Sequence, residues 1–115
     1  MEFAKEMTEK ALSIGMTRST FRDCSGWPHP GHLTTARDLA TLAKRTIIDF
    51  PQYYHYYKQL KFTYNGIKQH NRNPLLYRDM GADGLKTGHT QVAGYGLTSS
   101  AVRGGRRLIL VVNGL

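Results

Sequence analysis

Asp83-Gly84-Leu85-Lys86-Thr87-Gly88-His89-Thr90, with Ala93-Gly94-Tyr95 just behind it, is the stretch on which the reading of this 115-residue chain turns. It carries too much glycine for a helix and is followed by strand-like sequence, so it reads as a strand. Side chains alternate along a strand, which puts Lys86 and Gly88 on one face and Thr87 on the other unless the strand twists at its end. A cation, a hydroxyl and a residue without a side chain in succession could hold a carboxylate. Gly88 would let a second backbone lie against the strand without meeting a Cβ. His89 follows at the strand end, where its amide can face a cleft. Lys-Thr-Gly alone is a weak signal that usually marks a polar strand end; the longer run carries more.

Beyond this strand, Tyr95 to Val102 and Arg107 to Val112 flank Arg103-Gly104-Gly105-Arg106, a hairpin pattern. Leu108-Ile109-Leu110-Val111-Val112 is apolar on both faces, which predicts a strand covered by helices on each side. Before it, Leu60, Phe62 and Tyr64 alternate with Lys61 and Thr63, and Asn65-Gly66 signals a hairpin returning through Ile67 to His70. Asn71-Arg72-Asn73-Pro74 closes that hairpin, and Leu75 to Ala82 is expected as a loop. Tyr53, Tyr54, Tyr56 and Tyr57 are expected to cover the edge of the core with their hydroxyls in water.

Two helices precede these strands. Phe3, Met7, Ala11 and Ile14 recur at helical spacing, with Glu2, Lys5, Glu6, Glu9 and Lys10 toward water and Gly15 as the stop. No capping residue precedes this helix, which gives the expectation that the chain is entered partway through a longer domain. Thr35-Ala36-Arg37-Asp38 reads as a capping box opening a second helix, with Ala36, Leu39, Ala40, Ala43, Ile47 and Phe50 on its buried face and Pro51 beyond it. Thr41 and Lys44 form a T-x-x-K, read as an ordinary mid-helix hydroxyl and lysine. Residues 17–33 hold Gly26, Pro28, Pro30 and Gly31 and read as a loop. His29 and His32 lie there, but no acidic residue is set on a helix to complete a metal site, and none is assigned.

With 40% hydrophobic residues the chain fits one small globular unit or part of a larger one. It has no apolar run of about 18 residues to span a membrane and no signal-peptide core at its start. Cys24 is the only cysteine, so no internal disulfide forms. A formal charge of +8 raises nucleic acid as a partner. The cations are scattered, however, without a long block, which reads better as a generally basic surface.

The run from Asp83 to Tyr95 resembles the third active-site motif of penicillin-binding serine enzymes, most closely the D-alanyl-D-alanine carboxypeptidases. Phe3 to Phe21 is similar to the helix and turn after that family's second motif. Gly26 to Leu42 is similar to its Gly-x-Pro loop and Thr-Ala-x-Asp-Leu helix, and Asn71-Arg72-Asn73 with Leu75-Leu76 to the segment before its third motif. The resemblance implies an α+β fold, part of the transpeptidase fold shared with serine β-lactamases, with an antiparallel sheet packed with helices and residues 1–115 forming part of a catalytic domain. It implies a serine peptidase without a cofactor, at the periplasm or cell envelope. Its partners would be peptidoglycan stem peptides ending in D-Ala-D-Ala and the β-lactams that mimic them.

The family's nucleophile and its helper lie in S-x-x-K and Ser-x-Asn motifs, and neither occurs here. Ser13, Ser19, Ser25, Ser99 and Ser100 are followed three residues later by Met16, Arg22, Pro28, Val102 and Arg103. The resemblance therefore implies a substrate-binding part that is inactive alone and pairs with the N-terminal part of its own domain. Lys86 and Thr87 would meet the substrate carboxylate, Gly88 would let its backbone pair with the strand, and the His89 amide would be half of an oxyanion hole. Arg72 either supports the site electrostatically or pairs with Asp79 or Asp83, and the sequence favours the pair. Tyr77 stands where the family commonly has an indole, and Gly96 where it has asparagine. Two other readings stay open: a non-catalytic module binding cell-wall peptide, and a basic nucleic-acid-binding domain.

Overall fold

A computed structural model describes residues 1–115 and places two α-helices, α1 (Glu2–Ser13) and α2 (Ala36–Asp49), beside two antiparallel sheets. One sheet is the hairpin β1 (Lys61–Tyr64) and β2 (Ile67–His70); the other has β3 (Ala82–Thr90), β4 (Gly94–Arg103) and β5 (Arg106–Val112) in that order. The expected α+β arrangement stands. Both hairpin turns form as read, with positive φ at Asn65 and Gly66 in one and at Gly104 and Gly105 in the other, the backbone that two-residue hairpin loops demand.

α1 ends at Gly15, whose φ of 96° lets its amide reach Leu12 O (3.1 Å) while the Met16 amide reaches Ala11 O (2.9 Å). This pair of reversed bonds satisfies carbonyls that the helix end leaves open. At the start of α2 the Thr35 hydroxyl accepts from the Asp38 amide (3.0 Å). The capping box is only half made, because the buried Asp38 carboxylate turns away to accept from the Arg18 amide (2.9 Å) and the Ser19 hydroxyl (2.7 Å). It thereby ties the loop after α1 to α2. Residues 17–33 are irregular apart from one bridge between Thr20 and Leu33. His32 Nδ1 accepts from the Arg22 amide and His29 Nδ1 from the Gly31 amide, both at 2.9 Å. Thr41 donates to Arg37 O within α2 (3.1 Å).

Three expectations are corrected. Leu75 to Ala82 is not simply a loop: Pro74–Tyr77 is a 3₁₀ turn capped by Asn73, and Ala82 already belongs to β3. Tyr53, Tyr56 and Tyr57 are exposed, but Tyr54, at the start of a 3₁₀ turn (Tyr54–Lys58), is buried, and its hydroxyl donates to Asp83 rather than to water. β5 is covered on one face only. Half-buried Ile109 and Val111 face Ala36, Ala40 and Thr41 of α2 across a shallow cleft, while Leu108 and Leu110, which alternate with them, are 66% and 47% exposed.

The helix faces are likewise open. α1 buries Ala4 and Ala11 but leaves Phe3 exposed, and Ala36 and Phe50 of α2 are exposed as well. The apolar side chains that are buried are Ala4, Ala11, Met16, Ala43 and Tyr54.

The hairpin β1–β2 exposes every one of its strand residues. It is held at its root. The Tyr77 hydroxyl sits between Leu60 O (3.1 Å) and Asn71 O (3.0 Å), and the Asn71 amide group donates to Tyr57 O (3.2 Å) and Gln59 O (3.0 Å).

Candidate binding site on strand β3

β3 is an edge strand, paired to β4 on one side and to no strand on the other. Which of its main-chain groups face the open side follows from the register. Tyr95 exchanges both of its main-chain bonds with Leu115 (2.8 and 3.1 Å), on the side of β4 away from β3. His89, directly opposite Tyr95, is therefore in a non-hydrogen-bonded pair and directs its own N–H and C=O outward from the sheet. By alternation Thr87 does the same, while Lys86 and Gly88 pair inward with Thr98 and Gly96.

Side chains follow the other alternation. A Cβ placed on Gly84 would lie 2.6 Å from the Tyr54 hydroxyl, so the face of β3 on which Gly84, Lys86 and Gly88 share a side is the one that Tyr54 packs against. A Cβ on Gly88 would meet nothing within 4 Å. The open space there is a cleft of about 430 Å³ floored by Lys86, Gly88, Gly96 and Thr98 and walled by Leu39, Leu42 and Ala43 of α2. A second cleft of about 420 Å³ lies between the end of β2 and β3, lined by Gln69, His70, Asn71, Arg72, Leu85, Lys86 and Thr87.

Lys86 lines both clefts. Its amine is exposed, forms no ion pair, and donates only to the Thr87 carbonyl, one of the outward-facing groups. Thr87 lines both clefts too, because on an edge strand either face is reached around the open side. The His89 imidazole rests on Tyr95, ring centroids 4.1 Å apart, which leaves its amide on the strand edge unobstructed by its own ring. Arg72 corrects the sequence reading: it pairs with neither Asp79 nor Asp83 and lies instead in the same cleft as Lys86. Asp83 has another partner.

That partner is Arg107 of β5, whose Nη1 donates to Asp83 Oδ1 and to the Ser100 hydroxyl, each at 2.9 Å. The Tyr54 hydroxyl donates to the same carboxylate oxygen at 2.8 Å, and the guanidinium carbon lies 5.3 Å from the centre of the Tyr54 ring. Burial pushes the Tyr54 hydroxyl well above the usual tyrosine range, and the facing carboxylate adds to the shift. The hydrogen bond to Asp83 likewise raises the Arg107 guanidinium.

One residue further along, the buried Asn73 amide group donates to Gly84 O (2.7 Å) and to the Ser99 hydroxyl (3.3 Å), and Ser99 donates to Gly84 O (2.6 Å). Asn73 Oδ1 accepts from the Leu75 amide (3.0 Å) and so caps the 3₁₀ turn. Asp83 and Gly84, the two residues before Leu85-Lys86-Thr87-Gly88, are thus clamped from opposite directions. Sequence reasoning placed none of Asn73, Tyr54, Arg107, Ser99 and Ser100 at the site. Only Asn73 carried a local signal, as an asparagine set before a proline at the start of a helical turn.

The departures from the family pattern also have structural settings. Tyr77 holds the hairpin root, and a Cβ on Gly96 would come within 3.3 Å of Asn113 Oδ1, so the asparagine side chain at 113 already stands where a larger residue at 96 would reach.

Residues 1–115 match the family model described as D-alanyl-D-alanine carboxypeptidase. The D-alanyl-D-alanine carboxypeptidase DacC of Escherichia coli (strain K12) is 46% identical over 109 residues, which make up 94% of this chain and 27% of DacC. Penicillin binding protein 5 from Haemophilus influenzae superposes with a TM-score of 0.92 at 39% identity, over 97% of this chain and 33% of that one. Penicillin-binding protein D2 from Listeria monocytogenes, in its ampicillin-bound form, superposes with a TM-score of 0.88 at 36% identity, over 98% of this chain and 48% of that one. The chain therefore spans less than a third of the length of DacC, and the fold it presents is part of the penicillin-binding-protein fold. On the match of its whole length to the family model, this chain belongs to the D-alanyl-D-alanine carboxypeptidase family.

Proposed function

We propose that residues 1–115 form the carboxylate-binding side of a serine-type D-Ala-D-Ala carboxypeptidase catalytic domain, one that trims peptidoglycan stem peptides by acylation and hydrolysis in the periplasm or cell envelope. The observation that carries this reading is the exposed amine of Lys86, in no ion pair and bonded only to the Thr87 carbonyl, at an open strand edge between two clefts. In this reading Lys86 and the Thr87 hydroxyl bind the C-terminal carboxylate of the peptide, or the matching carboxylate of a β-lactam, by charge-assisted hydrogen bonds. The peptide backbone pairs with the outward groups of Thr87 and His89 and passes over Gly88, where a side chain would fill the cleft. The His89 amide then supplies one oxyanion donor, a contact worth about 2.7–4 kcal/mol in other hydrolases. Arg72, in the same cleft as Lys86, adds positive potential for the carboxylate.

The serine that would be acylated is not in these residues, since none of the five serines has a lysine three positions on. A reading as a non-catalytic binder of cell-wall peptide uses the same groups and differs only in whether a nucleophile meets them.

The test is titration of the chain with N-acetyl-D-Ala-D-Ala, followed by the amide NMR signals of Lys86 to Thr90. Saturable shifts confined to these residues are expected, lost when the peptide carboxylate is amidated and weakened roughly tenfold to a hundredfold by Lys86→Ala, as for one hydrogen bond to a charged group. Equal binding of the amidated peptide would refute the assignment. Incubation of the chain alone with a labelled penicillin is expected to leave no adduct.

A further inference from the structure

We infer that the cleft between β2 and β3 takes the side chain of the peptide's terminal residue and selects there for a second carboxylate, with Arg72 and His70 as the specificity-determining groups. This rests on the reading of the site given above, in which Lys86 and Thr87 hold the main-chain carboxylate, and names the terminal residue that the site prefers.

Charge carries the argument. Gln69, His70 and Arg72 line the cleft from the β2 side and Lys86 and Thr87 from β3, and none of its lining residues is acidic. Two permanent cations and an imidazole thus share one space, where a single carboxylate offsets only one of the two fixed charges. Neither ion pair of the molecule, Arg45 with Asp49 and Arg107 with Asp83, supplies the missing countercharge. The surrounding sequence does not supply it either. From Phe50 to Arg78 there is no aspartate or glutamate, while Lys58, Lys61, Lys68, Arg72 and Arg78 are all present. Lys61 stands directly opposite His70 in the β1–β2 register, so by alternation Lys61, Lys68 and His70 share one face of the ribbon. A cleft lined by one sign of charge concentrates ligands of the other sign.

Size and donor chemistry agree with this. At about 420 Å³ the cleft falls in the range that holds a small organic molecule, and the methyl of a terminal alanine would leave most of it to water. With the main-chain carboxylate on Lys86, a longer side chain on the same residue extends across the cleft toward β2. There the planar guanidinium of Arg72 can take a carboxylate through two parallel hydrogen bonds, which a neutral amide cannot match. Gln69, beside His70, adds an amide donor for the same group. The terminal residue that fits is an acidic one, such as glutamate of the same handedness as the alanine it replaces.

The probes are N-acetyl-D-Ala-D-Glu, its neutral near-isostere N-acetyl-D-Ala-D-Gln, and N-acetyl-D-Ala-D-Ala, each titrated into the 115-residue chain and followed by amide NMR. The glutamate peptide should bind about threefold to tenfold more tightly than the glutamine peptide, the size expected of a charge pair open to water. It should also shift the signals of His70 and Arg72 together with those of Lys86 to Thr90. Arg72→Gln, alone and combined with His70→Gln, should abolish that preference while leaving the unfolding midpoint unchanged, because both side chains are exposed. Arg103→Gln removes the same charge from the β4–β5 turn and should leave the preference as it was. Equal binding of the glutamate and glutamine peptides, with the alanine peptide still bound, would overturn the inference and leave the site reading standing. A preference lost equally in Arg103→Gln would overturn it too, by tracing the effect to net charge. Failure of all three peptides to bind would overturn the site reading and this inference with it.

Discussion

Asn73→Ala tests the clamp that precedes the Lys86 edge. The side chain is 1% exposed and spends its donors on Gly84 O and Ser99 and its acceptor on the Leu75 amide. After truncation the Gly84 carbonyl still has the Ser99 hydroxyl at 2.6 Å, so it is not orphaned. Both donor bonds are lost, the one to Ser99 being long at 3.3 Å, at a cost of about 1 kcal/mol. The cap on the 3₁₀ turn is lost, about 1 kcal/mol. The cavity left by three heavy atoms adds about 1 kcal/mol. Together these come to about 3 kcal/mol, a midpoint lower by about 12 °C at roughly 4 °C per kcal/mol for a chain of this size.

Thermal and urea unfolding followed by circular dichroism measure the loss. The near-isosteric Asn73→Asp keeps the acceptor for Leu75 but turns a carboxylate oxygen toward the Gly84 carbonyl, so at neutral pH it should cost more than alanine. Burial and the facing carbonyl raise that carboxyl above its unfolded value of about 3.9. The variant is therefore most stable below the unfolded value and loses stability as pH rises through the folded one. An alanine loss under about 1 kcal/mol, or an aspartate variant equal to the parent at pH 7, refutes the clamp.

Other outcomes follow from single contacts. Tyr54 is raised above its ordinary value of 10.0, so stability that is full below pH 10.0 should fall as pH climbs beyond it, and Tyr54→Phe should remove that part of the alkaline loss; identical alkaline unfolding profiles would count against the buried hydroxyl. Gly84→Ala drives a methyl to 2.6 Å from that hydroxyl and should cost about 1–3 kcal/mol in urea unfolding, a cost that Tyr54→Phe relieves in the double variant. Thr35→Ala should cost about 1 kcal/mol through the lost cap, read as a shifted urea midpoint with unchanged slope. Binding of N-acetyl-D-Ala-D-Ala should weaken only modestly with added salt; a steep slope against duplex DNA of similar apparent affinity would instead favour the nucleic-acid reading.

The hairpins, both helix ends and the Lys86 strand were legible because each rests on local chemistry: Asn65-Gly66, Gly104-Gly105, Thr35 and Gly15 need little beyond their own backbone. What escaped reading depends on residues far apart in the chain. Asp83 finds Arg107 across two strands and Tyr54 from a separate turn, so the pairing favoured for Arg72 does not form. The box at Thr35 looked complete because its spacing was right, yet Asp38 is drawn off by Arg18 and Ser19, twenty positions back. A continuous apolar run located the strand Leu108 to Val112 but could not reveal that one of its faces finds no cover within these residues. A contiguous motif such as Lys86-Thr87-Gly88 can be read from sequence alone, whereas the hold of a single buried asparagine such as Asn73 cannot.

The β1–β2 ribbon has no apolar floor beneath it, and an isolated two-stranded ribbon is marginal in water. Its tip should therefore fray first: the amides near Asn65 and Gly66 exchange with solvent fastest, while those beside the Tyr77 knot exchange slowly. The wall of the second cleft is then graded, yielding at the far end and stiff next to Arg72. The ribbon can thus swing at its tip without moving Lys86, which lies on the stiff side of that wall.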